Sequence, residues 1–196
     1  GTINSQFRSS VAINGNYLVV GAPLSRDVAN VERGAAYIFV RNGPNWMFQT
    51  KLESPDEDSN LIFGSGVSIS GDTVVVGAPG LDVNNIRDVG AAYVYVRNGE
   101  TWNLQQRLVA SDPRIALELA EWVSLDSDIL LLGALDSAYV FTRTGSIWTE
   151  EAKLTDPLGD SSDQFGSSVD INGNTAVVGA PFGGESQMTT WGIVCV

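Results

Sequence analysis

Self-similarity at a fixed interval constrains this chain more than any other property. The stretch Phe63-Gly-Ser-Gly-Val-Ser-Ile-Ser-Gly-Asp-Thr-Val-Val-Val-Gly-Ala-Pro79 has a copy at Phe7 to Pro23, a worn one at Leu119 to Leu135 and another at Phe165 to Pro181. The copies start at residues 7, 63, 119 and 165, spacings of 56, 56 and 46. Repeats in this range mean an array of equal structural units that share one continuous core. Trp46, Trp102 and Trp148 each stand six residues before Leu52, Leu108 and Leu154, and those leucines stand eleven before Phe63, Leu119 and Phe165.

Each repeat reads as four short strands. In the first, Phe7 to Ile13 alternates, Asn14-Gly15-Asn16 supplies a hairpin turn, and Tyr17 to Val20 runs apolar into Gly21-Ala22-Pro23. Asn-Gly between apolar runs is a strong hairpin signal because both residues tolerate positive φ. A polar loop over 24–33 precedes a third strand, Gly34 to Val40; Asn42-Gly43 turns it into a fourth, Trp46 to Leu52. The second repeat copies this with Gly71-Asp72, Gly90 to Val96, Asn98-Gly99 and Trp102 to Leu108. In the third, the register predicts a strand over Ile115 to Trp122 despite its Ala, Leu and Glu content, and ten residues are missing between Leu135 and Tyr139. The fourth stops after Gly192 to Val196, where Cys195 is expected to take the slot of Tyr37, Tyr93 and Tyr139. The chain thus divides into repeats 6–61, 62–118, 119–163 and an incomplete 164–196, forming one segment.

Phe63-Gly64, Val76-Gly77-Ala78-Pro79 and Gly90-Ala91-Ala92-Tyr93-Val94-Tyr95 resemble the FG-GAP repeat of integrin α-chain β-propellers and related microbial and algal proteins. The pattern recurs at Phe7 with Gly21-Ala22-Pro23 and at Phe165-Gly166 with Gly179-Ala180-Pro181, and fades at Leu119-Ala120. The resemblance implies an all-β fold, a partial β-propeller of four-stranded antiparallel blades, about three and a half of the seven that make a ring. It leaves three expectations: a fragment of a longer chain, a homodimer whose halves complete each other, or a stack covered by another protein. It also implies an extracellular or cell-surface, adhesion-type protein. Integrin blades carry Asp-rich calcium loops between the first two strands. The equivalent turns here (Asn14-Gly15-Asn16, Ser70-Gly71-Asp72, Asp126-Ser127-Asp128, Asn172-Gly173-Asn174) are too short and too poor in carboxylates for six to eight oxygens. That metal site is not carried over, and no cofactor is expected.

Composition narrows the function. A net charge of −12 argues against nucleic acid and anionic membrane surfaces, since phosphate binding needs clustered Lys and Arg. It favours a cationic partner. Apolar runs such as Ile129 to Leu132 are far short of the roughly 20 residues of a membrane span, so no membrane insertion is expected. Gly1 opens neither a Met start nor a leader, implying a leader that was removed or lies outside this sequence. One cysteine excludes an internal disulfide, and the absence of histidine removes the commonest general base and the usual triads. We therefore expect no catalytic residue. The rival is a carboxylate-dependent hydrolase or lyase.

Antiparallel topology sorts the loops onto two rims. Tight turns join strands one to two and three to four; the longer connections lie at the other end. The long-loop rim takes Asp27, Glu32, Asp82, Asp88, Asp136 and Glu185 from within repeats, and Glu53, Asp56, Glu57, Asp58, Asp112, Glu118, Asp156, Asp160 and Asp163 from between them. Arg41, Arg97 and Arg143 occupy equivalent turns on the opposite rim. Loops on a rigid scaffold carry binding, so the acidic rim is the expected face for a protein or glycan partner. Its candidates are Asp27, Asn30, Glu32, Asp82, Asn84, Asn85, Asp88, Asp56 and Asp58. Asp56-Glu57-Asp58-Ser59-Asn60 and Asp160-Ser161-Ser162-Asp163 lack the turn glycine and closing carboxylate of a calcium loop. The aligned tryptophans and tyrosines are expected in inter-blade packing. A purely architectural subunit of a larger assembly is the remaining expectation.

Overall fold

Hairpin turns that must enter left-handed backbone and strands that alternate about them build four sheets. The computed structural model describes residues 10–57, 61–156, 163–182 and 194–195. The first sheet is Val11–Asn14 (β1), Tyr17–Ala22 (β2), Ala35–Asn42 (β3) and Asn45–Leu52 (β4). The second is Val67–Ser70 (β5), Thr73–Ala78 (β6), Ala91–Asn98 (β7) and Thr101–Leu108 (β8). The third is Trp122–Asp126 (β9), Ile129–Ala134 (β10), Ser137–Thr144 (β11) and Ile147–Leu154 (β12). The fourth has Ser168–Asn172 (β13), Thr175–Gly179 (β14) and Val194–Cys195 (β15). Each sheet pairs its strands antiparallel in chain order, with no helix among the described residues. No helix is long and apolar enough to cross a membrane. This is the all-β partial propeller of FG-GAP type that the repeats predicted.

The sheets stand side by side, and apolar side chains alternate between the two faces of each. One face of the second sheet (Val74, Val76, Tyr93, Tyr95) joins Val19, Ala36 and Ile38 of the first in a single cluster. Its other face (Val75, Ala92, Val94) joins Leu130, Leu132, Tyr139 and Phe141 of the third. Leu131, Ala138 and Val140 then meet Ile171, Ala176 and Val178 of the fourth. The first strands are neighbours from sheet to sheet: Leu125 N–H donates to Ser68 Oγ (3.1 Å) and Ile171 N–H to Ser124 Oγ (3.1 Å). The tight turns are stitched likewise, with Gly71 N–H on Asn14 Oδ1 (3.2 Å), Ser127 N–H on Ser70 Oγ (3.0 Å) and Gly173 N–H on Asp126 Oδ2 (2.6 Å).

Four sequence expectations shift. The Phe-Gly pair lies before the first strand, not in it: β5 begins at Val67, and Phe63 instead makes an isolated parallel bridge to Gly34. Ile115 to Trp122 is a loop until Trp122, because Ala116, Glu118 and Ala120 all have positive φ (53°, 52° and 71°), which breaks the pleat. The same twist recurs at Ile62 and Gly64, and at Gln164 and Gly166. Cys195 is a strand residue, but it pairs with Thr175 as Val96 pairs with Thr73. It therefore sits three positions past the tyrosine slot. Finally, the missing ten residues leave only Leu135 and Asp136 between β10 and β11, with Asp136 at φ 63°. Phe7 lies outside the described residues.

Tryptophan packing follows the expectation. The Trp102 ring meets Tyr17 of the preceding sheet edge-on at 5.7 Å, and its Nε1 donates to Gln49 Oε1 (3.2 Å). Trp148 Nε1 donates to Gln105 Oε1 (3.0 Å), while Gln106 exchanges two hydrogen bonds with the Trp148 backbone.

Candidate functional site

The longer connections lie at one end of every sheet, as antiparallel order requires. Most of their acids are engaged. Asp27 folds its own loop, its Oδ1 accepting from Ala29 and Val31 N–H (2.8 and 2.9 Å), and pairs with Arg33 (3.2 Å). Asn30 takes a left-handed turn (φ 62°), and Glu32 pairs with Arg26 (2.9 Å). Asp82 Oδ1 accepts from Asp88 N–H (2.9 Å), and Asn84, Asn85 and Asp88 all have positive φ, as short polar side chains allow. Asp58 lies outside the described residues, as do Asn60, Asp160, Ser161, Ser162 and Glu185.

Asp56 belongs to a repeated clasp that sequence reading missed. Tyr93 Oη donates to Asp56 Oδ2 (2.5 Å), and Arg107 Nη1 to Asp56 Oδ1 (2.9 Å). One sheet on, Tyr139 donates to Asp112 (2.8 Å) and Lys153 to the same carboxylate (2.5 Å). Each clasp ties the connection leaving one sheet to the third and fourth strands of the next. Burial disfavours the Tyr93 phenolate most and Asp56 reinforces it, so the phenol stays protonated as a donor. Burial opposes ionisation of Asp112, but hydrogen bonds from Lys153 and Tyr139 outweigh it and hold its pKa below the usual range. The matching distance from tyrosine to connection was the available signal. The opposite rim is not a basic patch either: Arg97 pairs with Asp72 (Nε to Oδ1 2.9 Å) and Arg143 with Asp128 (2.6 Å). Arg41 donates to Gly43 O (3.1 Å), with Asn16 standing where the other sheets have aspartate.

What remains open on the long-loop rim concentrates where the first strands begin. A cleft of about 500 Å³ is bordered by Ser10, Ile62, Ser65, Glu121, Trp122 and Ser168. A smaller hollow of about 110 Å³ shares Ile62, Ser65 and Glu121 with it and adds Asp88 and Glu118. Burial raises the pKa of Glu118, helped by the charge of Asp88, and burial raises that of Glu121, helped by Glu118. So the structure brings Asp88 together with Glu118 and Glu121. It leaves Asp27 in a separate hollow of about 160 Å³ with Arg33, Glu53 and Ser54. Glu121 and Trp122 escaped sequence reading because the Leu119 copy of the repeat is the worn one.

The raised carboxyls have a measurable consequence. An acid whose folded pKa exceeds its unfolded value binds its proton more tightly when folded, so its protonation stabilises. Stability contributed by Glu118 and Glu121 therefore grows as pH falls through their raised values, and levels off below the ordinary glutamate range. Glu121→Gln is expected to raise the urea midpoint at neutral pH and to flatten this gain. A midpoint lowered at neutral pH with the acid gain intact would contradict the burial of that charge.

The FG-GAP repeat profile matches residues 1–39, 46–95 and 148–190, well over half of the chain. The chain belongs to the FG-GAP repeat family. No curated protein sequence matches it. The unmatched interval takes in most of the third sheet, which nevertheless keeps the four-stranded order and pairing of a repeat. FG-GAP repeats occur generally in extracellular or surface proteins and indicate a propeller-type protein-interaction module.

Proposed function

We propose that this FG-GAP segment is a non-catalytic, extracellular or cell-surface module that binds a protein or glycan partner through its acidic long-loop rim. The observation that carries the reading is the grouping of Asp88, Glu118 and Glu121 beside the wider cleft that holds Trp122. Carboxylates held partly out of water gain from an arriving cation, because desolvated charges attract across a low dielectric. The flat face of a tryptophan suits either a cationic side chain or a sugar ring. The partner group favoured is a Lys or Arg side chain of a protein, in keeping with the net charge of −12.

The test titrates the chain with short Lys- and Arg-containing peptides and, separately, with neutral oligosaccharides, following backbone amide shifts. Peptide-induced changes are expected at residues 62–65, 79–88 and 118–123, weakening as salt is added. Glu118→Gln with Glu121→Gln is expected to reduce affinity about tenfold or more, on the order of 1.4 kcal/mol. Shifts confined to the tight-turn rim, or binding indifferent to both substitutions, would overturn the assignment. Turnover of an oligosaccharide would replace it with a carboxylate-dependent enzyme.

A further inference from the structure

We infer that the outward face of the first sheet is a docking surface for a second copy of this chain, which seats the outward face of its fourth sheet there. Equivalent positions across the repeats show what each face is built to meet. Ile13, Ile69, Leu125 and Ile171 hold the same place, opposite the second residue of the second strand. The last three are 6%, 7% and 7% exposed beneath the preceding sheet, whereas Ile13 is 63% exposed. Trp102 and Trp148 are likewise covered by the preceding sheet, while Trp46 at the same position is 37% exposed.

The opposite end of the array shows the converse. Val19, Val75, Leu131 and Val177 share one position, third in the second strand, on the face that each sheet turns toward its successor. The first three are fully buried under that successor, and Val177 is 46% exposed. One molecule therefore displays both halves of a contact that it already makes three times internally, between sheets one and two, two and three, and three and four. The chemistry of the occupant follows: a sheet face bearing an aliphatic residue at the Val177 position, with a neighbouring second-strand residue reaching the tryptophan as Tyr17 reaches Trp102. Apolar surface of this kind gains by leaving water, and the two faces differ, so the contact is head-to-tail.

Sedimentation of the chain over a concentration series tests this. The wild-type chain is expected to associate into particles of two or more chains. Ile13→Glu and Val177→Lys both fall on exposed strand positions, where a charge leaves the fold intact. Each is expected to run as a monomer where the wild type is associated, since every head-to-tail contact then includes a spoiled face. An equimolar mixture of the two variants is expected to recover a dimer, because the intact first-sheet face of one fits the intact fourth-sheet face of the other. A wild-type chain that stays monomeric throughout would overturn the inference. So would dispersal by Ile13→Glu alone with Val177→Lys silent, the mark of two first sheets facing each other. Both variants keep Glu118 and Glu121, so failure here leaves peptide binding at the acidic rim unaffected.

Discussion

Gly77→Ala is expected to destabilise the protein by about 3 kcal/mol or more, at the upper end of what overpacking does. A methyl group placed there would lie 1.8 Å from the carbonyl oxygen of Ala120 in the third sheet. Neither backbone can yield cheaply. Gly77 N–H is bonded to Gly66 O (2.9 Å), Gly77 O accepts from Gly64 N–H (2.8 Å), and Ala120 N–H is bonded to Gly133 O (2.9 Å). The same approach recurs where Gly21 meets Gly64 O (2.0 Å) and Gly133 meets Gly166 O (2.2 Å). So the glycine of each Gly-Ala-Pro element is the point at which one sheet admits the backbone of the next. Gly71→Ala is the control. That residue sits in a tight turn at φ +55° with nothing within 4 Å, so only the left-handed penalty of about 1 kcal/mol applies. Urea unfolding of both variants checks the pair. Equal losses would mean the sheets are not in backbone contact in solution.

Phe63→Ala is expected to remove about 3–5 kcal/mol. The ring is fully buried, edge-on to Tyr93 at 5.4 Å and to Tyr95 at 6.5 Å, in the cluster that includes Val19 and Ile38 of the first sheet. Truncation empties a space that two sheets share, and the bridge from Gly34 to Phe63 limits how far the backbone can collapse into it. Phe63→Leu is expected to lose less than half as much, because Leu119 fills the equivalent slot in the next repeat and is also fully buried. Ile115→Ala, at a site 69% exposed, is expected to change little. Chemical denaturation of the three variants should rank them in that order; a Phe63→Ala loss no larger than that of Ile115→Ala would remove Phe63 from the shared core.

Strand count, turn positions and the joints between sheets were legible because they rest on local chemistry repeated in step. Asn14-Gly15 and Ser70-Gly71 turn where glycine allows positive φ, and the tryptophan slot reappears at a constant distance. The Phe-Gly segment was not legible as a loop, since alternation of apolar residues says nothing of left-handed backbone at Ile62, Glu118 or Gln164. The rim was legible as acidic but not as paired. Whether Asp56 faces water or the Tyr93 hydroxyl depends on how two sheets are set against each other, 37 residues apart in sequence. Glu121 and Trp122 stayed hidden for a related reason: burial raises the one and exposes part of the other only once four first strands converge. The reduced repeat also masked its own likeness, with Ala120 holding at φ 71° the conformation that glycine holds at Gly64 and Gly166.

The two-residue link Leu135-Asp136 has a wider meaning. Leu132, Gly133 and Ala134 face Tyr139, Ala138 and Ser137 in the register that Val76, Gly77 and Ala78 keep with Tyr93, Ala92 and Ala91 across a far longer excursion. The hydrogen-bonded ladder is therefore indifferent to what is spliced between its uprights at that end. Such an array can acquire, trade or discard whole segments there as its counterparts change, while the architecture beneath goes on folding unaltered.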